Sequence, residues 1–135
     1  MGDPLLVVDF GAWRTSAAIL AGGHSALVTE PTTGSYRWPS TALLDGDSLL
    51  IGDSARHRRD EAIRHYLDGV RPAVDTGEPV RLGERRFSGE ELLAAYLTGI
   101  RNAALRQSGA TRFDRLVLAV PTGYAGQEAR TQRMV

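Results

Sequence analysis

Residues 5–20, LLVVDFGAWRTSAAIL, decide how the rest of the chain is interpreted. An apolar run leads into a polar turn after Asp9, and a second run of small and apolar residues follows at once. Two such runs joined by a short turn predict a β-hairpin. An acid and a glycine at the turn are typical of a backbone that approaches a phosphate while a carboxylate holds magnesium. We therefore predict a phosphate-facing turn at Asp9 and Gly11.

The remaining positions of this turn suit phosphate less well. Ala12, Trp13 and Arg14 stand where small hydroxyl or amide side chains would be the better donors. Any β-hairpin can also use Asp and Gly at its turn, so the motif indicates where a ligand would lie and not that one binds.

The composition sets limits on function. With 135 residues, 42% of them hydrophobic, the chain can form a core as one domain. The 16 basic and 16 acidic residues balance, so no nucleic-acid or anionic-membrane partner is predicted. There is no lysine and no cysteine, which excludes lysine chemistry, disulfides and thiolate metal sites. No apolar run approaches the ~18 residues of a membrane span, and we expect a cytoplasmic protein.

Short-range patterns predict most of the secondary structure. Strands are expected at residues 5–10, 15–20 and 25–29, in an antiparallel meander. Further elements are two hairpins (residues 41–44 with 48–51, and 80–82 with 85–87), a helix over 54–66, a helix over 89–107, a buried strand over 115–120 and a helix from Gln127. The helix over 89–107 has the clearest signals: Ser88 and Glu91 form a capping box, and Gly109 ends it.

Several familiar chemistries are excluded. A phosphate-loop NTPase needs GxxxxGK[ST], and no lysine is present to complete one. The segment Gly23-His24-Ser25 lacks the spacing of a hydrolase nucleophile elbow. The three histidines show no HExxH or paired spacing, so a zinc site is not expected.

The order of motifs resembles the N-terminal half of the nucleotide-binding domain of the 70-kDa heat-shock chaperone family. The motifs that carry the resemblance are VVDFGAWRTSAAIL, WPSTALL, LIGDSAR, FSGEELLAAYLTGIRNAAL and LVLAVPTGYAGQEAR. They are collinear with the family from about Leu5 to Arg130.

The resemblance implies an actin-like, ribonuclease-H-type α/β fold. Its mixed sheet, with three antiparallel first strands, would be built from residues 1–37 and 110–135. A smaller α+β lobe would be inserted at 38–109, and the second lobe of the domain would be absent, so that the chain is a fragment. Cutting the domain there would expose apolar surface near residues 116–120, and self-association of the chain is expected.

The resemblance also assigns site residues. Asp9 would lie near the magnesium of a bound ATP or ADP, and Gly11 with the backbone of Ala12 and Trp13 would cradle the phosphates. Arg64 lies near the position of the family's catalytic lysine. Two departures matter: Ala12 and Trp13 replace hydroxyl residues, and a planar guanidinium differs from an ammonium.

The implied function is that of one lobe of an ATP-dependent chaperone, with client or co-chaperone partners for the whole protein. Because phosphoryl transfer needs groups on both sides of the nucleotide, this chain alone is not expected to hydrolyse ATP. The alternative is a degenerate, non-catalytic nucleotide-sensing or scaffold module of actin-like fold. Sugar or acetate kinases and filament proteins of the same superfamily share the first turn but would lack the inserted lobe.

Overall fold

A computed structural model describes residues 4–119. The described strands are β1 (Leu5–Phe10), β2 (Arg14–Ala21), β3 (His24–Leu27), β4 (Trp38–Pro39), β5 (Thr41–Asp45), β6 (Ser48–Ile51), β7 (Tyr66–Asp68), β8 (Val80–Leu82), β9 (Arg85–Phe87) and β10 (Arg115–Ala119). The described helices are α1 (Asp53–His57), α2 (Val70–Thr76) and α3 (Gly89–Ser108). The chain is a mixed α/β fold, as predicted.

The main sheet has five strands. Four of them lie in the order β10-β1-β2-β3, and the fifth, β4, pairs with the same strand β2 that pairs with β3. The first three strands run antiparallel, which confirms the predicted meander. Strand β10 returns parallel to β1, with Leu5 opposite Arg115 and Asp9 opposite Ala119. The sheet therefore joins β1 to residues that lie beyond the three helices described in residues 4–119.

Two smaller sheets complete the fold. Strands β5 and β6 form the hairpin predicted at Asp45-Gly46-Asp47, and β7 adds to the other edge of β5. Strands β8 and β9 form the second predicted hairpin.

Helix α3 covers the main sheet and follows its sequence signals closely. The Ser88 side chain accepts a hydrogen bond from the Glu91 backbone N–H, and the Glu91 carboxylate accepts one from the Ser88 N–H, both at 3.0 Å. Gly109 ends the helix at φ 74°, a conformation that glycine adopts without strain. Its buried face repeats every three or four residues: Leu92, Leu93, Tyr96, Leu97, Ile100, Ala103 and Ala104.

The prediction of a helix over residues 54–66 is wrong. Only α1 is helical there, and two 3-10 turns, Arg59–Glu61 and Ile63–His65, lead into β7. Tyr66 and Leu67 pair with Leu43 and Ala42 of β5, so strand pairing replaces a further helical turn. Ile63, which the helical spacing placed with the apolar residues, is exposed.

Helix α2 was not predicted. It lies between two glycines in the left-handed conformation, Gly69 at φ 98° and Gly77 at φ 72°. Pro72 stands in its first turn, where a missing N–H costs no intrahelical bond. A proline near the start and a glycine after the end are the signals that could have identified this helix.

One hydrophobic cluster joins the main sheet, α2, α3 and the β5–β6 hairpin. Strand β1 buries Leu6, Val8 and Phe10, whereas its other face is only partly covered and exposes Asp9. Strand β10 is also less buried than predicted, with Val117 exposed. The loop predicted after Pro121 and the helix predicted from Gln127 lie outside the described residues.

Candidate functional site

The predicted turn connects β1 to β2 at one end of the main sheet. Asp9 lies on β1 between Ser16 of β2 and Ala119 of β10. Its side chain is exposed, and within residues 4–119 its carboxylate forms no ion pair or hydrogen bond. Asp9 is thus a free carboxylate at the end of a central strand.

Gly11 is required by the tightness of the turn. A Cβ added at this position would overlap the carbonyl oxygen of Arg14, so a larger residue would force the backbone to move. The hydrogen bonds of the turn engage its carbonyls, and none of those within the described residues uses the N–H of Ala12 or Trp13. Donors without partners at a turn are what a bound anion requires.

Ser40 holds the turn from behind. Its Oγ donates to the carbonyl of Gly11 at 3.0 Å, and its N–H donates to the carbonyl of Trp13 at 2.9 Å. The Thr15 hydroxyl lies 3.1 Å from Ser40 Oγ. Because the single Ser40 hydroxyl proton is directed at Gly11, Thr15 is the donor in that contact. Both side chains are buried, so the turn is fixed by interior contacts.

Tyr96 of α3 supports the same segment. Its hydroxyl donates to the carbonyl of Pro39 at 2.9 Å, and its ring meets Phe10 edge to face with centroids 5.7 Å apart. Burial raises the pKa of the Tyr96 hydroxyl well above its usual value, which keeps it a donor. The longest helix is therefore connected to the turn through Pro39 and Ser40.

The side chains of the turn offer no hydroxyl. Ala12 is half-buried, and Trp13 is 65% exposed. One edge of the Trp13 ring lies close to Gly69, 3.4 Å from where a Cβ would stand. Any phosphate at this turn would be held by backbone N–H groups and neighbouring cations.

Arg71 of α2 contacts the strand that leads into the turn, and sequence reasoning did not single it out. Its Nη1 donates to the carbonyl of Phe10 at 3.3 Å, and its Nε lies 3.9 Å from the Asp75 carboxylate. Arg64, the predicted cation, is exposed on the second 3-10 turn, where its carbonyl accepts from Gly83 N–H. The structure thus brings Asp9, Gly11, Ala12 and Trp13 together and places Arg64 beside the β8–β9 hairpin.

An open cavity of about 270 Å³ adjoins the turn and is lined by Asp9, Arg14, Thr15, Ser16 and Arg37. Arg14 begins β2, and Arg37 directly precedes β4, which pairs with β2 through Arg14 and Pro39. The pairing of β2 with β4 therefore puts Arg14 and Arg37 in the lining of the same cavity as Asp9.

A second polar feature is the buried acid pair Glu30 and Asp53. Thr33 Oγ1 donates to Asp53 Oδ2 at 2.6 Å, and Thr32 N–H donates to Glu30 Oε1 at 2.9 Å. Burial raises the pKa of Glu30, and the neighbouring Asp53 carboxylate adds to that rise. Burial also raises the pKa of Asp53, but the Thr33 and Glu30 hydrogen bonds and the Arg56 charge outweigh it and leave it lowered.

Arg56 completes this cluster. Its Nη2 lies 2.7 Å from Asp53 Oδ1, so the two side chains form an ion pair. The N–H groups of Arg56 are not aligned with Oδ1, and this oxygen therefore accepts no hydrogen bond among the described residues. Across the described part of the chain, no group of three or more His, Asp or Glu side chains is placed to hold a metal ion. No helix among residues 4–119 is long and apolar enough to cross a membrane.

The chain is similar to molecular chaperones over most of its length. The relatives are DnaK proteins: it is 26% identical over 117 residues to the chaperone protein DnaK of Ureaplasma urealyticum serovar 10, covering 87% of this chain and 19% of that protein. It is 22% identical over 119 residues to DnaK of Mycoplasma mobile, covering 88% and 19%. Against DnaK of Mesomycoplasma hyopneumoniae strain 232 the identity is 25% over 117 residues, covering 87% and 19%.

No family model matches the chain. The chain spans 19% of the length of these curated relatives. The similarity supports the resemblance to the 70-kDa heat-shock chaperones that the motifs indicate.

Proposed function

We propose that this chain forms the first lobe of an actin-like nucleotide-binding domain in a DnaK-like chaperone, and that its Asp9–Gly11 turn contributes one side of a site for ATP or ADP with magnesium. One observation carries the proposal: the turn that the resemblance assigns to phosphate combines an exposed, unpartnered carboxylate with N–H groups that no described residue uses.

The sheet supports the fold part of the proposal. The resemblance implies a mixed sheet whose first three strands are antiparallel, and the meander of β1 to β3 with the parallel strand β10 is such a sheet. The division into a sheet core (1–37 and 110–135) and an inserted lobe (38–109) stays a prediction. The hydrophobic cluster is shared by residues on both sides of those boundaries.

Asp9 fits a magnesium ion that arrives with a nucleotide. Magnesium commonly keeps several waters and takes one or two carboxylates together with substrate phosphates. A single exposed carboxylate beside free N–H donors matches that set, and Asp9 alone would not hold the metal. When bound, the metal would neutralise phosphate charge, and the turn's part is to orient the phosphates through its backbone.

We further propose Arg71 as the cation of this site in place of Arg64. Arg71 is fixed by the Phe10 carbonyl and by Asp75, and Phe10 lies between Asp9 and Gly11 in sequence. Arg71→Gln should therefore weaken nucleotide binding, whereas Arg64→Gln should leave it unchanged. Equal effects of the two changes would contradict this assignment, provided both variants unfold at the wild-type urea concentration.

The chain contains its own reporter for the binding test. Trp13 is exposed on the turn, and the only other tryptophan, Trp38, is buried. Magnesium-ATP at millimolar concentration should change the emission of Trp13, and Trp13→Phe should abolish that change. In Asp9→Asn the magnesium-dependent part should disappear, and an unaltered titration of Asp9→Asn would refute the proposed role of this carboxylate.

Activity is a separate part of the proposal. The proposed site residues would lie on one side of a bound nucleotide, and transition-state stabilisation of phosphoryl transfer needs groups on both sides. The 135-residue chain should therefore show no ATP hydrolysis above background. Turnover by the chain that is lost in Asp9→Ala would overturn this expectation. Three further proposals rest on the resemblance alone: client or co-chaperone binding, a cytoplasmic location, and self-association through β10.

A non-catalytic scaffold is the second candidate, and the turn itself favours it in one respect. Its two central residues, Ala12 and Trp13, have no hydroxyl group that could donate a hydrogen bond to phosphate. Trp13 is also exposed, and tryptophan is enriched among the residues that dominate protein–protein binding. Calorimetry of the whole protein with magnesium-ATP separates the two candidates. Undetectable heat at millimolar nucleotide would favour the scaffold.

A further inference from the structure

We propose that Arg14, Arg37 and Arg56 form a binding site for a diphosphate or triphosphate group, and that this site works without Asp9 and without magnesium. The site is a second cavity of about 330 Å³. Its polar lining consists of Arg14, Arg37, Arg56, Thr33, Ser35 and Asp53. The Trp13 side chain and Pro39 complete the wall.

Two of these arginines have no acidic partner. Within residues 4–119, neither the Arg14 nor the Arg37 guanidinium forms an ion pair, although other arginines do. Arg58, for example, pairs with Asp45 at 3.0 Å. In a chain whose formal charges cancel, positive charge is therefore left uncompensated at this cavity.

The fold brings the cations of the site together and anchors them. The β2–β4 pairing sets Arg14 against Pro39, and the Ser35 hydroxyl accepts from the Arg37 N–H at 3.1 Å. The loop that carries Ser35 is tied to α1, because Thr33 donates to the buried Asp53 carboxylate. Arg56 is held over the cavity by that same carboxylate.

The lining matches phosphate better than other anions. Planar guanidinium groups bind phosphate oxygens in a bidentate manner. The Ser35 hydroxyl accepts from the Arg37 N–H and keeps its own proton as a neutral donor, whereas the Thr33 proton is used by Asp53. The only acid of the lining, Asp53, is already engaged by Arg56 and Thr33. Arg14 and Arg37 also line the cavity beside Asp9, so a chain of two or three phosphates could extend from this site toward the turn.

The test is a calorimetric titration of inorganic pyrophosphate into the 135-residue chain in EDTA. We expect measurable binding, and a loss of affinity of about ten-fold in each of Arg14→Gln and Arg37→Gln, the effect of removing one charge-assisted hydrogen bond. Arg86→Gln is the matched control, since it removes the same charge from an exposed position on β9. Arg56 is left intact because its loss would leave the buried Asp53 without its ion pair.

Each result decides the matter. No binding of pyrophosphate, or an Arg86→Gln loss as large as that of Arg37→Gln, overturns the proposal. Wild-type affinity in Asp9→Asn supports it, and loss of binding in Asp9→Asn overturns it. ATP in EDTA distinguishes the natural source: equal affinity for ATP and pyrophosphate indicates free polyphosphate anions, and tighter ATP binding indicates a nucleotide. A failure here leaves the magnesium-dependent site at Asp9 untouched, because that site is tested with magnesium and with a different residue.

Discussion

Replacing Ser40 by alanine should destabilise the chain by about 2 kcal/mol, because one buried hydroxyl holds the turn in two directions. Ser40 is fully buried, and its Oγ both donates to the Gly11 carbonyl and accepts from the Thr15 hydroxyl. Alanine leaves both partners without a hydrogen bond. Each such bond contributes about 1 kcal/mol net, and a polar group left unpaired in the interior costs about 1–3 kcal/mol. The backbone N–H of residue 40 still reaches Trp13, so the loss is partial.

Urea denaturation followed by tryptophan emission measures this effect, since the buried Trp38 reports on the core. For a domain of this size, about 2 kcal/mol corresponds to a fall in Tm of roughly 5–10 °C. Ser25→Ala on β3 is the matched control, because Ser25 is exposed and should change stability by less than about 0.5 kcal/mol. If Ser40→Ala unfolds at the same urea concentration as Ser25→Ala, the interior contacts do not fix the turn and the reasoning is wrong.

Three further predictions concern single substitutions in the turn, in the buried acid pair and at the start of α3. Gly11→Ala should cost about 2 kcal/mol in urea unfolding, because the added methyl group meets the Arg14 carbonyl oxygen and the turn must shift. Glu30→Gln should gain stability relative to wild type as the pH rises from 4 to 7. Burial raises the pKa of Glu30, so the wild-type protein loses stability as this carboxyl ionises in the folded state. The Gln variant does not, because its side chain stays neutral beside Asp53. A constant difference between the two proteins across that range would contradict this sign. Ser88→Ala should cost about 1 kcal/mol by loss of the α3 cap, measured as the fall in helical circular dichroism on heating.

The elements that were predicted correctly are those whose signals are local. The sequence predicts both ends of α3, its start from Ser88 with Glu91 and its end from Gly109. It also predicts the β5–β6 hairpin from Asp45-Gly46-Asp47. The meander from β1 to β3 is likewise a sequence of neighbouring strands joined by short turns. In each case the residues that decide the structure are close together along the chain.

The predictions that failed depend on distant contacts. Residues 66–68 become a strand because β5 offers a free edge, which the helical spacing of residues 54–66 does not reveal. The choice between Arg64 and Arg71 as the cation of the site stays a prediction, and it too depends on distant contacts. Arg64 and Arg71 are separated by a strand and a glycine turn, and only the folded structure shows that Arg71 reaches the Phe10 carbonyl.

The candidate site divides in the same way. The Asp9 and Gly11 positions follow from the sequence, because the turn is part of the hairpin itself. Ser40 lies 29 positions from the Gly11 that it holds, and Tyr96 lies 57 positions from the Pro39 that it supports. No local pattern identifies either contact. The Arg14 and Arg37 pair likewise depends on β4, a two-residue strand too short to predict.

The parallel pairing of β1 with β10 has a consequence for synthesis on the ribosome. Leu5 pairs with Arg115, so β1 leaves the ribosome well before its partner strand is synthesised. At ~5–20 residues per second, β1 is without this partner for on the order of 5–20 s. During that interval the β1 edge that later receives β10 is open, next to the turn between β1 and β2. Pairings of this kind form slowly because the intervening chain must first be ordered. A nascent chain arrested before Arg115 should therefore be more sensitive to protease than one arrested well beyond it.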